Sequence, residues 1–252
     1  MTYRITKSYS QYKDELLAIV ENFDSYSDEV VKAERNSIKK VPFKGIMLNV
    51  KAFKVPNIIN QISYRFFRKS KAERSYLYAH KLLSLDIQTP QPIAYFEFSS
   101  VLRFGKSFYL SEQIIYDLTF RELISTPDLK DWEQILRAFA RFTFKLHEND
   151  VMFLDHSPGN TLIKLAGNTY MFYLVDLNRM QFKAMDLNER MKNFARLSAS
   201  EAMIEIMSDE YSKCYHQPYN DVLRLMSKHS KTFREDSVRK RKLKKTLKFW
   251  KR

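Results

Sequence analysis

The chain has 252 residues and a net charge of +14, and with 44% hydrophobic and 29% charged residues it has the composition of a folded globular protein. Its 4 glycines and 7 prolines exclude collagen-like and Gly/Ser linker architectures, and they argue against a Rossmann dinucleotide site or a P-loop, each of which needs several glycines in a short window. The single cysteine, Cys214, excludes an intramolecular disulfide and fits a reducing compartment.

The first half of the chain predicts a mostly antiparallel sheet with one inserted helix. Strand-like alternation begins at Val30 and continues in two further strands, over 37–41 and 46–55, with a turn between them. A helix is predicted from Lys69, where Ser70 and Glu73 form a capping box. Two more strands are predicted over 93–98 and 107–114.

After about residue 115 the pattern becomes helical. Helices are predicted over 118–124, 131–147, 186–208 and 218–228, and strand-like pieces over 161–164 and 171–175. The change of pattern predicts an α+β protein of two lobes with a cleft near 112–117. We place the N-terminal β-rich lobe at 1–113, the C-terminal helical lobe at 114–236 and a basic tail at 237–252.

The second half contains an acidic motif that is suited to phosphoryl transfer. The stretch 153–160 reads FLDHSPGN, and the predicted strand that follows ends at Asp176. Asp155, Asn160 and Asp176 therefore offer one general base and two oxygen ligands, and Mg²⁺ prefers such hard oxygen donors. Of the nearby histidines, we expect His147 to end its helix or brace this loop and His156 to face solvent.

These residues resemble the protein-kinase-like superfamily, whose catalytic loop has an Asp, four residues and an Asn, followed by a metal-binding Asp. The resemblance implies a bilobal kinase-like fold that binds ATP and Mg²⁺, with Asp155 as the catalytic base and Asn160 and Asp176 as metal ligands. The ATP site would consist of Lys51 on the third strand, Glu73 as the ion-pair partner of Lys51, and the hinge residues Glu112 and Gln113.

The sequence also departs from the superfamily pattern. Phe153 replaces the usual His or Tyr before the base, and Leu177-Asn178 replaces Phe-Gly after the metal-binding Asp. The glycine-rich loop is missing, because the turn over 33–37 contains no glycine. Arg35 or Lys39 is our candidate for a direct phosphate contact in its place.

Within the superfamily the chain is most similar to the lipopolysaccharide kinases that act on Kdo or core heptose. The similar segments, between about residues 30 and 200, are RNSIK, VKAFKVPN, YRFFRKSKAERSY, TPQPIAY, LDHSPGNTLIK and LVDLNR. The resemblance implies transfer of phosphate from ATP to a sugar hydroxyl of a membrane glycolipid, the lipid A–core acceptor.

Other interpretations remain open. A cluster that includes Arg65 and Arg68 has two readings, a site for substrate carboxylates or phosphates and a solvated helix start. The acceptor could instead be a protein or a small alcohol. A further alternative is a catalytically inactive binding module at the membrane, which the missing glycine-rich loop favours.

The last segment, RKRKLKKTLKFWKR, contains nine basic residues and no acidic one, so most of the surplus charge lies there. Leu243, Leu247 and Trp250 fall on one face of a helix, a pattern that suits an anionic membrane surface. A solvated disordered tail is the alternative. The pattern does not favour nucleic acid as a partner, because aromatic residues are not interleaved with the basic ones. Without a signal core or an apolar span, we expect a cytoplasmic protein, peripheral on the cytoplasmic face of the inner membrane.

Overall fold

The computed structural model describes residues 1–27, 29–33, 36–57, 61, 64, 68–100, 104–167 and 169–249, and of residues 29–33, 244, 245 and 247–249 it describes the backbone alone. Arg35, Arg65 and Trp250 lie outside the described residues, as does the side chain of Leu247. The described chain divides into two compact units: Met1–Ile115 with Asp176–Asn178, and Tyr116–Val175 with Arg179–Arg252. The return of the short segment 176–178 to the first unit was not predicted from the sequence.

The first unit contains a six-stranded antiparallel sheet with the strand order β1-β5-β6-β4-β3-β2. Its strands are β1 (Thr2–Ile5), β2 (Glu29–Ala33), β3 (Asn36–Phe43), β4 (Ile46–Phe53), β5 (Pro92–Ser99) and β6 (Phe104–Glu112). The α-helices that the structure describes in it are α1 (Lys13–Glu21) and α2 (Lys71–Ser84). The sequence prediction missed β1 and α1, which are both short.

The core of this unit follows from alternation along the central strands. Leu48 and Val50 of β4 are completely buried, and they pack in one cluster with Leu16 of α1 and with Phe96 and Leu110 of β5 and β6. A two-residue turn, Lys44-Gly45, joins β3 to β4, and both residues have positive φ angles (47° and 81°). Such turns match the twist of the strands that they connect, and this turn fixes the register of the hairpin.

The second unit is built from helices and three small strand pairings. Its helices are α3 (Phe120–Ser125), α4 (Trp132–Glu148), α5 (Leu187–Phe194), α6 (Glu201–Tyr215) and α7 (Tyr219–Phe249). Its strands are β7 (Leu118–Thr119), β8 (Val151–Phe153), β9 (Thr161–Ala166), β10 (Thr169–Leu174) and β11 (Met180–Phe182). Strand β9 pairs with β10 and β7, and β8 pairs with β11. The pairing of β8 with β11 was not predicted.

The predicted helix over 186–208 was wrong, since the structure breaks it into two. Helix α5 ends at Phe194, a 3₁₀ turn follows over Ala195–Leu197, and Ser198 takes a left-handed conformation with φ 58°. The side chain of Ser200 then caps the start of α6 by accepting the Met203 N–H. This interruption places Arg196 in a turn between two helices rather than on a helix face.

The last helix is longer than predicted. Helix α7 runs from Tyr219 to Phe249 without a break, so the basic tail continues a helix that packs against α5 and α6. Val222 and Met226 are completely buried, whereas every side chain described from Val238 onward is exposed. None of the helices described in the structure is long and apolar enough to cross a membrane.

Candidate active site

Lys51 and Asp176 form an ion pair in the first unit. Strand β4 places Lys51 between Ile38 of β3 and Tyr109 of β6, where the residue is 8% exposed. Its Nζ lies 2.7 Å from Oδ1 of Asp176, and the amide of Asn178 donates to the same oxygen. Asp176 has φ 58°, a conformation that Asp adopts more readily than most side chains. Two donors and a fixed backbone thus hold this carboxylate.

The predicted ion pair between Lys51 and Glu73 does not occur among the described residues. The carboxylate of Glu73 instead lies 3.4 Å from Nζ of Lys69, one turn away along the chain. The Glu73 N–H donates to Oγ of Ser70, so its backbone takes part in the predicted helix cap. The ammonium of Lys51 is occupied by Asp176, which explains how it is neutralised without Glu73.

The hinge residues have backbone donors that are already used. The Glu112 N–H donates to Gln91 O at 2.9 Å, and the Gln113 N–H donates to Met47 O at 2.8 Å. The Glu112 carboxylate accepts the Tyr9 hydroxyl, and burial together with this bond raises the pKa of Tyr9 to about 12. The resemblance to the protein-kinase-like superfamily implies that the backbone of these hinge residues contacts the adenine of ATP. To bind an adenine, these two N–H groups would have to leave their present acceptors.

Of the predicted phosphate contacts in the first unit, the structure describes the side chains of Lys39 and Arg68. The ammonium of Lys39 is buried over the ring of Phe23 and donates to the carbonyl oxygens of Asp24 and Tyr26 at 3.2 and 2.6 Å. These bonds use the charge of Lys39 to join β3 to the segment before β2. Arg68 is exposed at the end of the segment before α2.

The loop over 155–160 in the second unit is braced at both ends. Leu154 N–H donates to Arg179 O at 3.0 Å, which ties the loop to β11, and Asn160 O accepts the Val175 N–H at 3.0 Å, which ties it to the end of β10. Nδ2 of Asn160 donates to Asp155 O at 2.8 Å. The loop therefore holds Asp155 and Asn160 together.

A side chain from α3 comes close to Gly159 in this loop. A Cβ atom at this position would lie 2.8 Å from Nη2 of Arg121, closer than side-chain carbons normally come to other atoms. A residue with a side chain at this position would therefore displace the guanidinium of Arg121 from its present place.

Two arginines that the sequence analysis missed contact the Asp155 carboxylate. Nη2 of Arg196 lies 2.8 Å from Oδ1, and Nη1 of Arg179 lies 3.7 Å from Oδ2. The Asp155 side chain is 18% exposed. No motif signals Arg196, since it lies 41 residues from its partner and only the break after α5 brings it there.

His156 is buried, so the expectation that it faces solvent was wrong. It is completely buried and lies among the rings of Phe139, Phe153 and Phe194. Neither ring nitrogen has a hydrogen-bond partner among the described residues. Burial, with a smaller contribution from His147, lowers the pKa of His156 to about 3, so the ring is neutral at physiological pH.

His147, in contrast, is hydrogen-bonded at both nitrogens and braces the loop through Asn193. The Asn193 amide donates to Phe153 O at 2.8 Å, so its Oδ1 must accept from Nε2 of His147, which lies at 3.2 Å. The hydroxyl of Tyr211 then donates to Nδ1 at 2.8 Å. Burial lowers the pKa of His147 to about 4. A neutral imidazole therefore supports the strand that precedes Asp155.

The predicted metal ligands have the right chemistry for Mg²⁺. Asp176 provides a carboxylate, and the bond from Nδ2 of Asn160 to Asp155 O leaves Oδ1 as the acceptor atom of the amide. Mg²⁺ takes oxygen donors and keeps several waters, so it needs few protein ligands. Over the described ranges no group of three or more His, Cys, Asp or Glu side chains is placed to hold a metal.

Comparison with known proteins assigns the family. A sequence model of the lipopolysaccharide kinase (Kdo/WaaP) family matches residues 54–219, about two thirds of the chain. The chain belongs to this family. A solved structure described as WaaP in complex with acyl carrier protein is similar to it with a TM-score of 0.64 and 17% identity over 93% of this chain and 99% of the other. A search of curated proteins gave no match.

Membership of the lipopolysaccharide kinase family confirms the resemblance found in the sequence, and the structural likeness confirms the bilobal kinase-like fold. Membership of the family supports a lipopolysaccharide kinase function, and it implies the use of ATP. The matched residues include Glu73 and the whole acidic motif, but the match begins after Lys51.

Proposed function

We propose that this protein transfers the γ-phosphoryl group of ATP to a sugar hydroxyl, on Kdo or heptose, of the lipopolysaccharide inner core. The family match over 54–219, which includes Asp155, Asn160 and Asp176, is the observation that carries the proposal. The braced loop and the ion pair of Lys51 support it, because phosphoryl transfer depends mainly on positioned charges.

The roles follow from the chemistry of each side chain. Lys51 would bind the ATP phosphates, and its present partner, the Asp176 carboxylate, would with Asn160 hold Mg²⁺, which neutralises charge on the phosphates when bound. Asp155 would accept the proton of the sugar hydroxyl as that oxygen bonds to the γ-phosphorus. The bond from the γ-phosphorus to the bridging oxygen then breaks, and ADP leaves.

Acceptor identity is tested by incubating the purified protein with labelled ATP and Mg²⁺ and with either lipid A–Kdo glycolipids or total protein. We expect label on the glycolipid. Label on polypeptide alone would favour the second candidate, a kinase with a protein acceptor, and no label on either would favour an inactive binding module.

The role of Asp155 is tested in the same assay with Asp155→Ala. This variant should bind nucleotide normally and lose transfer by on the order of 10²- to 10⁴-fold, the usual contribution of a general base. Asp221→Ala is the control, because Asp221 is an exposed aspartate paired with Arg224 of its own helix. Full activity of Asp155→Ala would remove Asp155 from its proposed role.

We also propose that the protein binds the cytoplasmic face of the inner membrane through the end of α7. Leu243 is 58% exposed in a run of basic residues, an arrangement that suits an anionic lipid surface, where each cation contributes about 1 kcal/mol. A WaaP structure was solved in complex with acyl carrier protein, so that carrier is the alternative partner to include in a binding test.

A further inference from the structure

We infer that Arg196 is a positioning residue that fixes the orientation of the Asp155 carboxylate, and that Phe233 of α7 holds Arg196 in place. The inference rests on the proposed role of Asp155 as the base. It assigns a function to a turn and to a helix that the acidic motif does not include.

The contact geometry separates the two oxygens of Asp155. Oδ1 lies 2.8 Å from Nη2 of Arg196, a hydrogen-bonding distance for a charged pair, whereas Oδ2 lies 3.7 Å from the 59% exposed Arg179. A carboxylate can rotate about its last bond, and a general base works only when one oxygen is aimed at the proton that it accepts. Arg196 therefore fixes Oδ1 and leaves Oδ2 as the oxygen for the hydroxyl.

Arg196 is itself held from the side of α7. Its Cζ lies 5.5 Å from the centre of the Phe233 ring, within the range of a cation–π contact. Its Nε is buried and has no hydrogen-bond partner among the described residues, so the described contacts of the guanidinium are those with the Asp155 carboxylate and the Phe233 ring. The break between α5 and α6 supplies the backbone position.

A cavity next to Arg196 makes the inference testable by chemical rescue. Its volume is about 270 Å³, and Leu154, Arg196 and Phe233 are among the residues that line it. Removal of the Arg196 side chain enlarges this space next to Asp155. A free guanidinium ion can enter it and replace the lost group.

The experiment measures kcat and KM for Arg196→Ala, Arg196→Lys and Phe233→Leu, with the acceptor that the wild type phosphorylates. We expect kcat of Arg196→Ala to fall on the order of 10²-fold with an unchanged KM for ATP, because the base is misaimed while nucleotide binding is intact. Lysine should restore part of the loss, since it keeps the charge but lacks the planar fork. Millimolar guanidinium should restore Arg196→Ala, and Phe233→Leu should show a smaller loss.

Arg224→Ala is the matched control, since Arg224 is an exposed arginine of α7 that forms an ion pair with Asp221 at 3.2 Å. Wild-type kcat in Arg196→Ala would overturn the inference while leaving the proposed function intact. A fall in kcat that accompanies a lower melting temperature and responds to neither lysine nor guanidinium would also overturn it, because the role would then be structural. A wild type that phosphorylates no acceptor would overturn the proposed function and this inference together.

Discussion

The buried imidazole of His156 should make the stability of the protein depend on pH in a defined way. Its pKa lies at about 3 in the folded chain against 6.5 for an ordinary histidine. Because the pKa of His156 is lower in the folded chain, between these two pH values the unfolded chain binds a proton at this residue and the folded chain does not. The stability that this group contributes is complete above pH 6.5 and is lost as the pH falls from 6.5 towards 3.

The size of the effect follows from the same two values. Each pH unit below 6.5 costs about 1.4 kcal/mol per group, so His156 should lower the free energy of unfolding by about 2 kcal/mol between pH 7.5 and about pH 5. His147, with a pKa of about 4, adds a loss of similar size and the same sign. The wild type should therefore lose about 4 kcal/mol over this range from the two histidines together.

The substitution His156→Leu isolates one of the two contributions. It removes two buried nitrogens that have no hydrogen-bond partner among the described residues, so stability at neutral pH should be nearly unchanged or improved. The loss between pH 7.5 and about pH 5 should shrink by about 2 kcal/mol. Urea unfolding at both pH values measures it.

His216→Asn serves as the control for this experiment. His216 is exposed and has φ 52°, a conformation that Asn tolerates, so this variant removes a histidine without disturbing a buried site. If His156→Leu and the wild type lost the same free energy between the two pH values, His156 would not be a buried neutral group in the native protein.

The remaining predictions concern the active site and the tail. Lys51→Met should lower kcat/KM on the order of 10²-fold, because it removes the ammonium partner of Asp176 and the phosphate contact that we propose for Lys51. Steady-state kinetics with an unchanged KM for ATP and an unchanged kcat would contradict this prediction. Gly159→Ala should lower the melting temperature slightly and displace Arg121, since the new Cβ would lie 2.8 Å from its Nη2. Thermal unfolding measures the first effect and a crystal structure the second, and an unmoved Arg121 would contradict the prediction. Truncation after Ser237 should weaken sedimentation with anionic vesicles, most clearly at low salt, whereas binding to neutral vesicles should be little affected. Equal sedimentation of the truncated and the full chain with anionic vesicles would exclude the tail as the membrane contact.

Regular local patterns made much of the fold predictable. The alternation around Leu48 and Val50 and the turn at Gly45 identified the central hairpin, and the Ser70 cap located the start of α2. Short elements were missed, since β1 and α1 are too brief to show a period and depend on packing against the sheet. The break at Ser198 was missed because a left-handed serine carries no strong signal in sequence.

The residues of the candidate site could likewise be predicted from local sequence, whereas their contacts could not. The spacing of Asp155, Asn160 and Asp176 is local and was sufficient to indicate the chemistry, and the family match supports that reading at the level of the family. The contacts of the other predicted site residues were not predictable. Glu73 pairs with Lys69, and the ammonium of Lys39 donates to backbone carbonyl oxygens. A salt bridge depends on distance between side chains, and several acidic groups compete for each cation.

The order of residues alone therefore identified the candidate side chains for the chemistry, because type and spacing are properties of the chain. Only the folded units decided what surrounds them. The tertiary structure brought Arg196 to Asp155 over 41 positions and left His156 without a polar partner among the described residues. Burial and long-range contact arise from packing between distant segments, and that packing sets the orientation of a carboxylate and the charge of a histidine.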